Sequence, residues 1–460
     1  MTTEFLKAGD EHTICALSTP PGTGGIAVLR VSGQDAYKNT RALCGFLPAQ
    51  PTSHRLYHGY LKTADGHETI DEVVISYFAQ GKSYTGEETT EISCHGGLVI
   101  TGRILQQLSE TGCRLANRGE FTYRAFMNGR IDLVQAEAVL GLIDGQSKQA
   151  TQVAFRQLQG ELSQEYARIE DALVWILAHL EASIDFSTED IEVVSNPELV
   201  TRSMAVMNIV SQLISSYQKG RLLREGLEVA LTGAPNVGKS SLLNALLRED
   251  RAIVTPIAGT TRDTVEGRIS IGGVPVTFVD TAGVRETEDQ IEKIGIERSR
   301  MAVSRADLAF QVLDVTSADW EQQTVEIFAR PGSRDHVLLN KSDLLLNGDP
   351  DLSIFPRERI FLVSALSRRG LGDLEGFLTR EIEKLDSGSS LVVTQARHLE
   401  VLNKIHSCLD RAIGLIRSNS SPEFIAFELA DAVRGIHDLL GKEFDEQIID
   451  RIFKEFCLGK

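Results

Sequence analysis

Residues Gly233 to Ser241, read GAPNVGKSS, constrain this chain more than any other stretch. They fit the phosphate-binding pattern Gly-x-x-x-x-Gly-Lys-Ser/Thr. The apolar run Leu227 to Leu231 enters the pattern and Leu242 to Leu247 leaves it with helical character. Strand, glycine-rich turn and helix are the context in which this pattern works. Backbone N–H groups of the turn, from Asn236, Val237, Gly238 and on to Ser241, together with the helix N-terminus, supply positive partial charge for phosphate oxygens. Lys239 is expected to reach the β- and γ-phosphates and Ser240 to place its hydroxyl on Mg²⁺.

Three later stretches complete the pattern. The apolar Val276 to Val279 ends in Asp280-Thr281-Ala282-Gly283. An Asp at a strand end suits a water-mediated Mg²⁺ contact, and Gly283 lets the backbone approach a γ-phosphate. Val337 to Leu339 leads into Asn340-Lys341-Ser342-Asp343. Asp343 can accept from both guanine N1–H and the exocyclic amine, a donor pair that adenine lacks. Ile360 to Val363 leads into Ser364-Ala365-Leu366, where a backbone N–H can meet guanine O6. Four elements in this order predict an unpermuted Ras-like GTP-binding domain over about 223–380.

At 460 residues the chain has room for about three domains. Apolar residues are 42% and charged residues 24%, ordinary for a globular protein, and the net charge is −17. A nucleic-acid binder usually shows a basic face. Any such face here must be local, or a partner carries most of the RNA contact. The six cysteines, at 15, 44, 94, 113, 408 and 457, form no C-x-x-C pair, so neither zinc nor a disulfide framework is expected. Reduced thiols in a cytoplasm are the expectation. The polar N-terminus lacks a signal-peptide core, and the most apolar stretch, Leu173 to Leu180, is too short to span a bilayer.

Residues 1–120 read as a compact α/β domain, with strands at Thr13 to Leu17, Gly25 to Val31, Val73 to Phe78 and Glu91 to Cys94, and an amphipathic helix from Leu98 to Glu110. From 121 to 222 glycine becomes rare and helical periodicity runs long. Leu133, Ala136, Val139, Leu140 and Ile143 share a face, and further amphipathic runs cover about 150–182 and 197–219. The acidic stretch Asp185 to Glu192 reads as an exposed loop and Ser387 to Ser390 as a hinge. Gly272-Gly273 predicts a hairpin turn between Val265–Ile271 and Val274–Val279. From 381 to 460 the chain is helical again, through about 396–416, 422–440 and 444–456. Three short helices make a thin core, so we expect one helical domain split by an inserted GTP-binding domain; two separate helical modules are the alternative.

The residue after Asp280-Thr-Ala-Gly is Val284, where small signalling GTPases carry a water-orienting glutamine. Val284 has no polar atom, so the catalytic group comes from elsewhere. Glu286, Glu288, Asp289, Glu292 and Glu297 are all on offer. Phosphate charge in the transition state also needs a cation. Asn236 and the run Thr255 to Thr261, TPIAGTT, provide oxygens for a K⁺ ion that would act as an arginine does, and Thr261 is the natural second Mg²⁺ ligand.

The chain resembles the MnmE/TrmE family of tRNA modification GTPases over its whole length. The resemblance is carried by PPGTGGIAVLRVSG (Pro20 to Gly33), YTGEETTEISCHGG (Tyr84 to Gly97), RGEFTYRAFMNGRIDLVQAEAVLGLIDG (Arg118 to Gly145), LLREG (Leu222 to Gly226), AIVTPIAGTTRD (Ala252 to Asp263), DTAGVRE (Asp280 to Glu286), IEKIGIERS (Ile291 to Ser299) and CLGK (Cys457 to Lys460). It implies a multidomain fold, α/β plus all-α: an N-terminal folate-binding α/β domain that also dimerises, a split helical bundle domain and an inserted Ras-like P-loop G domain. It further implies an FAD-containing partner, MnmG (GidA), in a heterotetramer. Together the two proteins would build an aminomethyl or carboxymethylaminomethyl group at C5 of the wobble uridine of certain tRNAs. A tetrahydrofolate derivative bound by this chain would supply the one-carbon unit.

By the same resemblance Asn236, Thr255, Ile257 and Thr260 match K⁺ ligands, Ser240 and Thr261 match Mg²⁺ ligands, and Glu292 matches the glutamate that polarises the attacking water. Pro256, Ala258 and Gly259 complete the nucleotide-site run. Arg30, Glu91, Arg130 and Lys460 match folate-site positions; Arg130 stands where other members carry lysine, keeping the charge and not the geometry. The alternative function is a GTP-controlled binding switch such as a ribosome-assembly factor, which would call for a basic RNA-binding appendage. Cys94-His95 reads as a turn or pocket lining rather than a thiol catalyst, and Cys457 as a pocket residue.

Overall fold

The computed structural model describes residues 12–145, 147–185, 195–247, 265–280, 306–329, 335–345, 348–384, 391–443 and 446–460. They gather into two compact units. One comprises Met1–Ile143, Phe155–Ser203 and Cys408–Lys460; the other comprises Asp144–Ala154 and Met204–Ser407.

The first unit holds a six-stranded sheet of β1 (Ile14–Leu17), β2 (Ile26–Ser32), β3 (Arg55–Lys62), β4 (Thr69–Phe78), β5 (Thr89–His95) and β6 (Arg114–Leu115). Their order is β3-β4-β5-β2-β1-β6. Pairing is antiparallel except between β1 and β6. Side chains alternate across a strand, so Ala27, Leu29 and Val31 of β2 go into one core with Ile75, Ile92, Ile104 and Leu108. Helices α1 (Ala36–Leu43) and α2 (Leu98–Glu110) supply the cover for that face. Each fully buried Val, Leu or Ile side chain among them contributes about 1.5–3 kcal/mol. The same alternation sends Arg30 to the opposite face, where it lies in register with Glu91 of β5.

Helices α3 (Glu120–Met127) and α4 (Leu133–Asp144) follow. Leu133, Ala136, Val139 and Leu140 are buried as their spacing predicts, whereas Ile143 is 44% exposed. The run expected over 150–182 is two helices, α5 (Lys148–Leu158) and α6 (Glu161–Asp185). Gly160 separates them with φ +87, a left-handed value that ends a helix. Next comes α7 (Asn196–Glu225).

The second unit is built on β7 (Leu227–Thr232), β8 (Val265–Ile271), β9 (Val274–Asp280), β10 (Leu308–Asp314), β11 (His336–Asn340) and β12 (Ile360–Leu362), in the order β12-β11-β10-β7-β9-β8. All neighbours are parallel except β8 and β9, which Gly272 (φ +59) and Gly273 (φ +82) join in the two-residue turn that a hairpin favours. The parallel strands are short continuous apolar runs, the pattern of a sheet buried on both faces. Helices α8 (Lys239–Leu247), α9 (Trp320–Phe328) and α10 (Leu371–Lys384) accompany them. In such a sheet ligands bind beyond the carboxyl ends of the strands. Here those ends carry Thr232, Asp280, Asp314 and Asn340.

The chain then runs through α11 (Ala396–Arg417), α12 (Pro422–Leu440) and α13 (Glu446–Lys454). In the first unit α12 packs along α6, where Glu170 accepts hydrogen bonds from His437 Nε2 at 3.0 Å and Lys442 Nζ at 2.6 Å. Among the described residues no helix is long and apolar enough to cross a membrane. The six cysteines are free thiols, all buried but Cys457. The expected acidic loop beyond Asp185 and the hinge at 387–390 lie outside the described residues.

Candidate functional site

The phosphate loop leaves β7 at Gly233, whose φ is +142. A Cβ there would stand 2.3 Å from the Val312 carbonyl oxygen. Gly238 has φ +96, and a Cβ there would stand 2.3 Å from Asn340 Nδ2. Both glycines of the pattern are therefore required by close approach as well as by backbone angle. Asn236, between them, also adopts a left-handed conformation at φ +66. The Lys239 ammonium folds back over the loop and donates to the carbonyls of Gly233 and Ala234, both at 2.8 Å. A buried lysine at the first turn of a helix, above a ring of backbone groups, fits a polyphosphate chain. Ser240 and Ser241 share that first turn.

The residues expected to read the base form one connected group. Asn340 is 1% exposed at the end of β11. Its Nδ2 donates to the Val237 carbonyl at 2.9 Å, and its Oδ1 accepts from the Ala365 N–H at 3.1 Å. It thereby ties the phosphate loop to the 364–366 turn. Ser364 Oγ donates to Asp343 Oδ1 at 2.5 Å and fixes that carboxylate. Ser342 N–H reaches the Val363 carbonyl at 3.1 Å. Lys341 is left-handed at φ +68, and its ammonium lies 2.6 Å from Asp314 Oδ2 at the end of β10.

A cavity of about 540 Å³ opens between these groups, lined by Gly238, Ser241, Asn244, Ala245, Asn340, Lys341, Asp343, Leu344, Ala365, Leu366 and Arg368. Its volume suits a nucleoside. Asp314, Asn244, Leu344 and Arg368 were not singled out by the sequence. Only Asp314 carries a readable signal, as an acid ending an apolar strand.

Asp280 closes β9, paired with Leu231 of β7. Thr281, Ala282 and Gly283, the run Thr255, Pro256, Ile257, Ala258, Gly259, Thr260 and Thr261, and Glu292 lie outside the described residues.

On the N-terminal sheet, Arg30 Nη2 lies 2.8 Å from Glu91 Oε1, and Nε donates to the same oxygen at 3.0 Å. The Arg30 guanidinium also faces the rings of Tyr84 and Phe121, each with its centroid 5.6 Å away. Tyr84 belongs to the 81–88 loop, which side chains of α3 and of Asn128 at its end hold in place. Tyr84 Oη and Thr122 Oγ1 are 2.9 Å apart, Arg124 Nη1 donates to Glu87 at 3.0 Å, and Asn128 Nδ2 donates to the Thr85 carbonyl at 2.8 Å. The Arg130 side chain packs over Gly86 of that loop. The C-terminal segment reaches the same place: the Phe121 N–H donates to the Lys460 carbonyl at 3.3 Å, Arg118 bridges Leu458, and Ser18 Oγ donates to the Gly459 carbonyl at 3.3 Å. Arg30, Glu91, Arg130 and Lys460 thus border one region around Tyr84 and Phe121. Cations beside a carboxylate and two aromatic faces, with Arg30 and Lys460 half-buried and Arg130 exposed, are a set of groups that fits a folate.

Cys94 is buried, and burial pushes its thiol up to about 11, away from nucleophilic use. His95 beside it is held by Asp71, whose carboxylate lies 2.7 Å from Nδ1 and accepts the His95 N–H at 2.8 Å.

The chain is similar to known proteins along its length. A family model described as the MnmE helical domain matches residues 133–457, and one described as the GTP-binding protein TrmE N-terminus matches 13–130. The tRNA modification GTPase MnmE of Bdellovibrio bacteriovorus is 44% identical, over 98% of this chain and 98% of that protein. The protein of the same description from Natranaerobius thermophilus is 41% identical, over 98% of this chain and 100% of that protein. Among solved structures, the FeoB G-domain from Methanococcus jannaschii matches at 26% identity over 34% of this chain and 98% of that chain, with a TM-score of 0.26.

Proposed function

The chain belongs to the MnmE family of tRNA modification GTPases, and we propose that its hydrolysis of GTP to GDP and phosphate drives modification of wobble uridines. The observation that carries the GTP reading is the Asn340 bridge. One side chain binds the phosphate-loop carbonyl of Val237 and the Ala365 N–H, beside an Asp343 carboxylate fixed by Ser364. Asp343 accepts the guanine N1–H and amine protons, and the Ala365 region meets O6. Lys239 exchanges its loop carbonyls for β- and γ-phosphate oxygens.

The hydroxyls of Ser240 and Thr261 are hard oxygen donors suited to Mg²⁺, which neutralises phosphate charge when bound. Asn236, Thr255, Ile257 and Thr260 hold K⁺ in place of an arginine finger. Glu292 orients and polarises the attacking water, the task for which Val284 has no polar atom.

In this reading residues 1–120 form a folate-binding and dimerising domain, 121–222 and 381–460 one split helical domain, and 223–380 the inserted G domain. Arg30, Glu91, Arg130 and Lys460 bind a tetrahydrofolate derivative, the cations meeting glutamyl carboxylates and Glu91 the pterin N–H groups. The homodimer works in the cytoplasm with the FAD-containing partner MnmG as a heterotetramer. Together they place an aminomethyl or carboxymethylaminomethyl group at C5 of uridine 34 of certain tRNAs.

Mass spectrometry of tRNA nucleosides tests this directly. Cells lacking the chain are expected to lose 5-aminomethyl-type wobble uridines and regain them when it is restored. Unchanged nucleosides would leave a GTPase with another client.

A further inference from the structure

One wall of the guanine cavity belongs to a residue outside the four nucleotide motifs. Arg368 lines it beside Asn244, Ala245 and Leu366. Its backbone is left-handed, with φ +65. Among the described residues the non-glycine positions with positive φ are His54, Asn236, Lys341, Arg368 and Asn419, and three of these border the nucleotide site. Such conformations are strained for a residue with a side chain and persist where the surroundings over-determine them.

The surroundings of Arg368 do so. Ser364 N–H donates to the Arg369 carbonyl at 2.9 Å, and Ser367 N–H donates to Ser364 Oγ at 3.0 Å, so the turn closes on itself. Arg368 Nη2 then reaches the Ala245 carbonyl at 3.4 Å. Ala245 lies in the last turn of α8, where unsatisfied carbonyls and the helix dipole favour a cation. Helix α8 starts at the phosphate loop, so Arg368 makes a second tie, besides Asn340, between the base half and the phosphate half of the site. Leu366 and Leu344 at the cavity are 85% and 55% exposed, and Arg368 is exposed too, so the base site is open to solvent and the guanidinium stands at its rim.

We infer that Arg368 retains the nucleotide: its side chain ties the 364–369 turn to the end of α8 and closes that side of the guanine cavity, slowing escape of the bound guanine nucleotide. This rests on the GTP reading above. A planar guanidinium beside a purine also stacks favourably, which an ammonium does less well.

The test is stopped-flow release of a fluorescent methylanthraniloyl GDP from the full chain, chased with excess GDP, for the native protein, Arg368→Ala, Arg368→Gly and Arg368→Lys. Arg368→Ala is expected to release it roughly five- to ten-fold faster, the equivalent of one lost hydrogen bond. Arg368→Lys falls between. Arg368→Gly relaxes the backbone, keeps the fold if the alanine variant does not, and is expected to release as fast as Arg368→Ala. Native release rates in Arg368→Gly would overturn the proposal, because the turn and not the side chain would then hold the nucleotide. Native rates in Arg368→Ala would overturn it also. A native protein that binds no GDP would sink the GTP reading itself, and this inference with it.

Discussion

Asn340 and Val237 are joined by a hydrogen bond of 2.9 Å across a sequence separation of 103 residues. Because Asn340 also accepts from Ala365, its amide spans two loops with both ends satisfied. Asn340→Ala strands a carbonyl and an N–H near a buried position. The expected loss is about 2 kcal/mol, read as a lowered thermal midpoint together with weaker GTP binding. A variant melting with the native protein would show the bridge to be dispensable.

Asp343→Asn is expected to exchange base preference. Xanthine carries an oxygen where guanine carries its amine, so it offers an acceptor to an amide that a carboxylate cannot satisfy. GTP affinity should fall roughly a hundred-fold, about 3 kcal/mol, while XTP affinity rises. Competition binding with both nucleotides measures it, and an unaltered GTP-to-XTP ratio would remove Asp343 from base reading.

GTP turnover should be at least roughly ten-fold faster in K⁺ than in Na⁺, the scale of one optimally placed cation. Equal rates in the two salts would dispose of the K⁺ assignment. Glu292→Ala should lose turnover, keep GTP and folate affinity, and fail to support uridine modification. Normal modification by that variant would mean that hydrolysis is not the driving step.

Much of this site was legible in the sequence because phosphate and guanine recognition use contiguous residues. GAPNVGKSS and NKSD each carry their own strand and turn, so spacing alone orders them. The Arg30 region was legible only through family resemblance. Its parts come from β2, β5, the 81–88 loop, α3 and the C-terminal segment, which no periodicity links. Helix α3, reading EFTYRAFM, is short and rich in aromatics, and β3 is an edge strand whose polar residues blur the alternation. Both were missed for those reasons. The 150–182 run looked continuous because apolar spacing passes over Gly160, whose left-handed φ is a property of the fold. Arg368 was invisible because its role depends on a contact with a helix 123 residues earlier.

Arg30→Gln should weaken binding of a reduced folate by roughly ten-fold, the value of one charge-assisted contact. Arg30→Lys should recover only part of it, because an ammonium cannot keep both the paired Glu91 contact and the ring contacts. Isothermal titration with 5-formyltetrahydrofolate measures this. Native affinity in Arg30→Gln would place the folate elsewhere.

The Asp71 carboxylate beside His95 raises the imidazole above its ordinary 6.5, through the hydrogen bond first and the charge second. A raised histidine adds stability that is complete below its unfolded value and disappears as the pH climbs through the folded one. The native protein should therefore lose a small increment of thermal stability above neutral pH that Asp71→Asn lacks at every pH. Parallel melting curves for the two proteins across pH 5.5 to 8.5 (roughly the span over which a histidine titrates) would contradict this.

The bond between Ser18 and the Gly459 carbonyl joins positions 441 residues apart. A ribosome adding about 5–20 residues per second needs on the order of half a minute or more to travel that far. Throughout that interval β1 and β2 are already made, yet the edge that receives Leu458 and Lys460 has nothing to close it. The Arg30 region therefore reaches its finished shape after the whole G domain has been synthesised, and a product truncated before Gly459 lacks the segment that completes it.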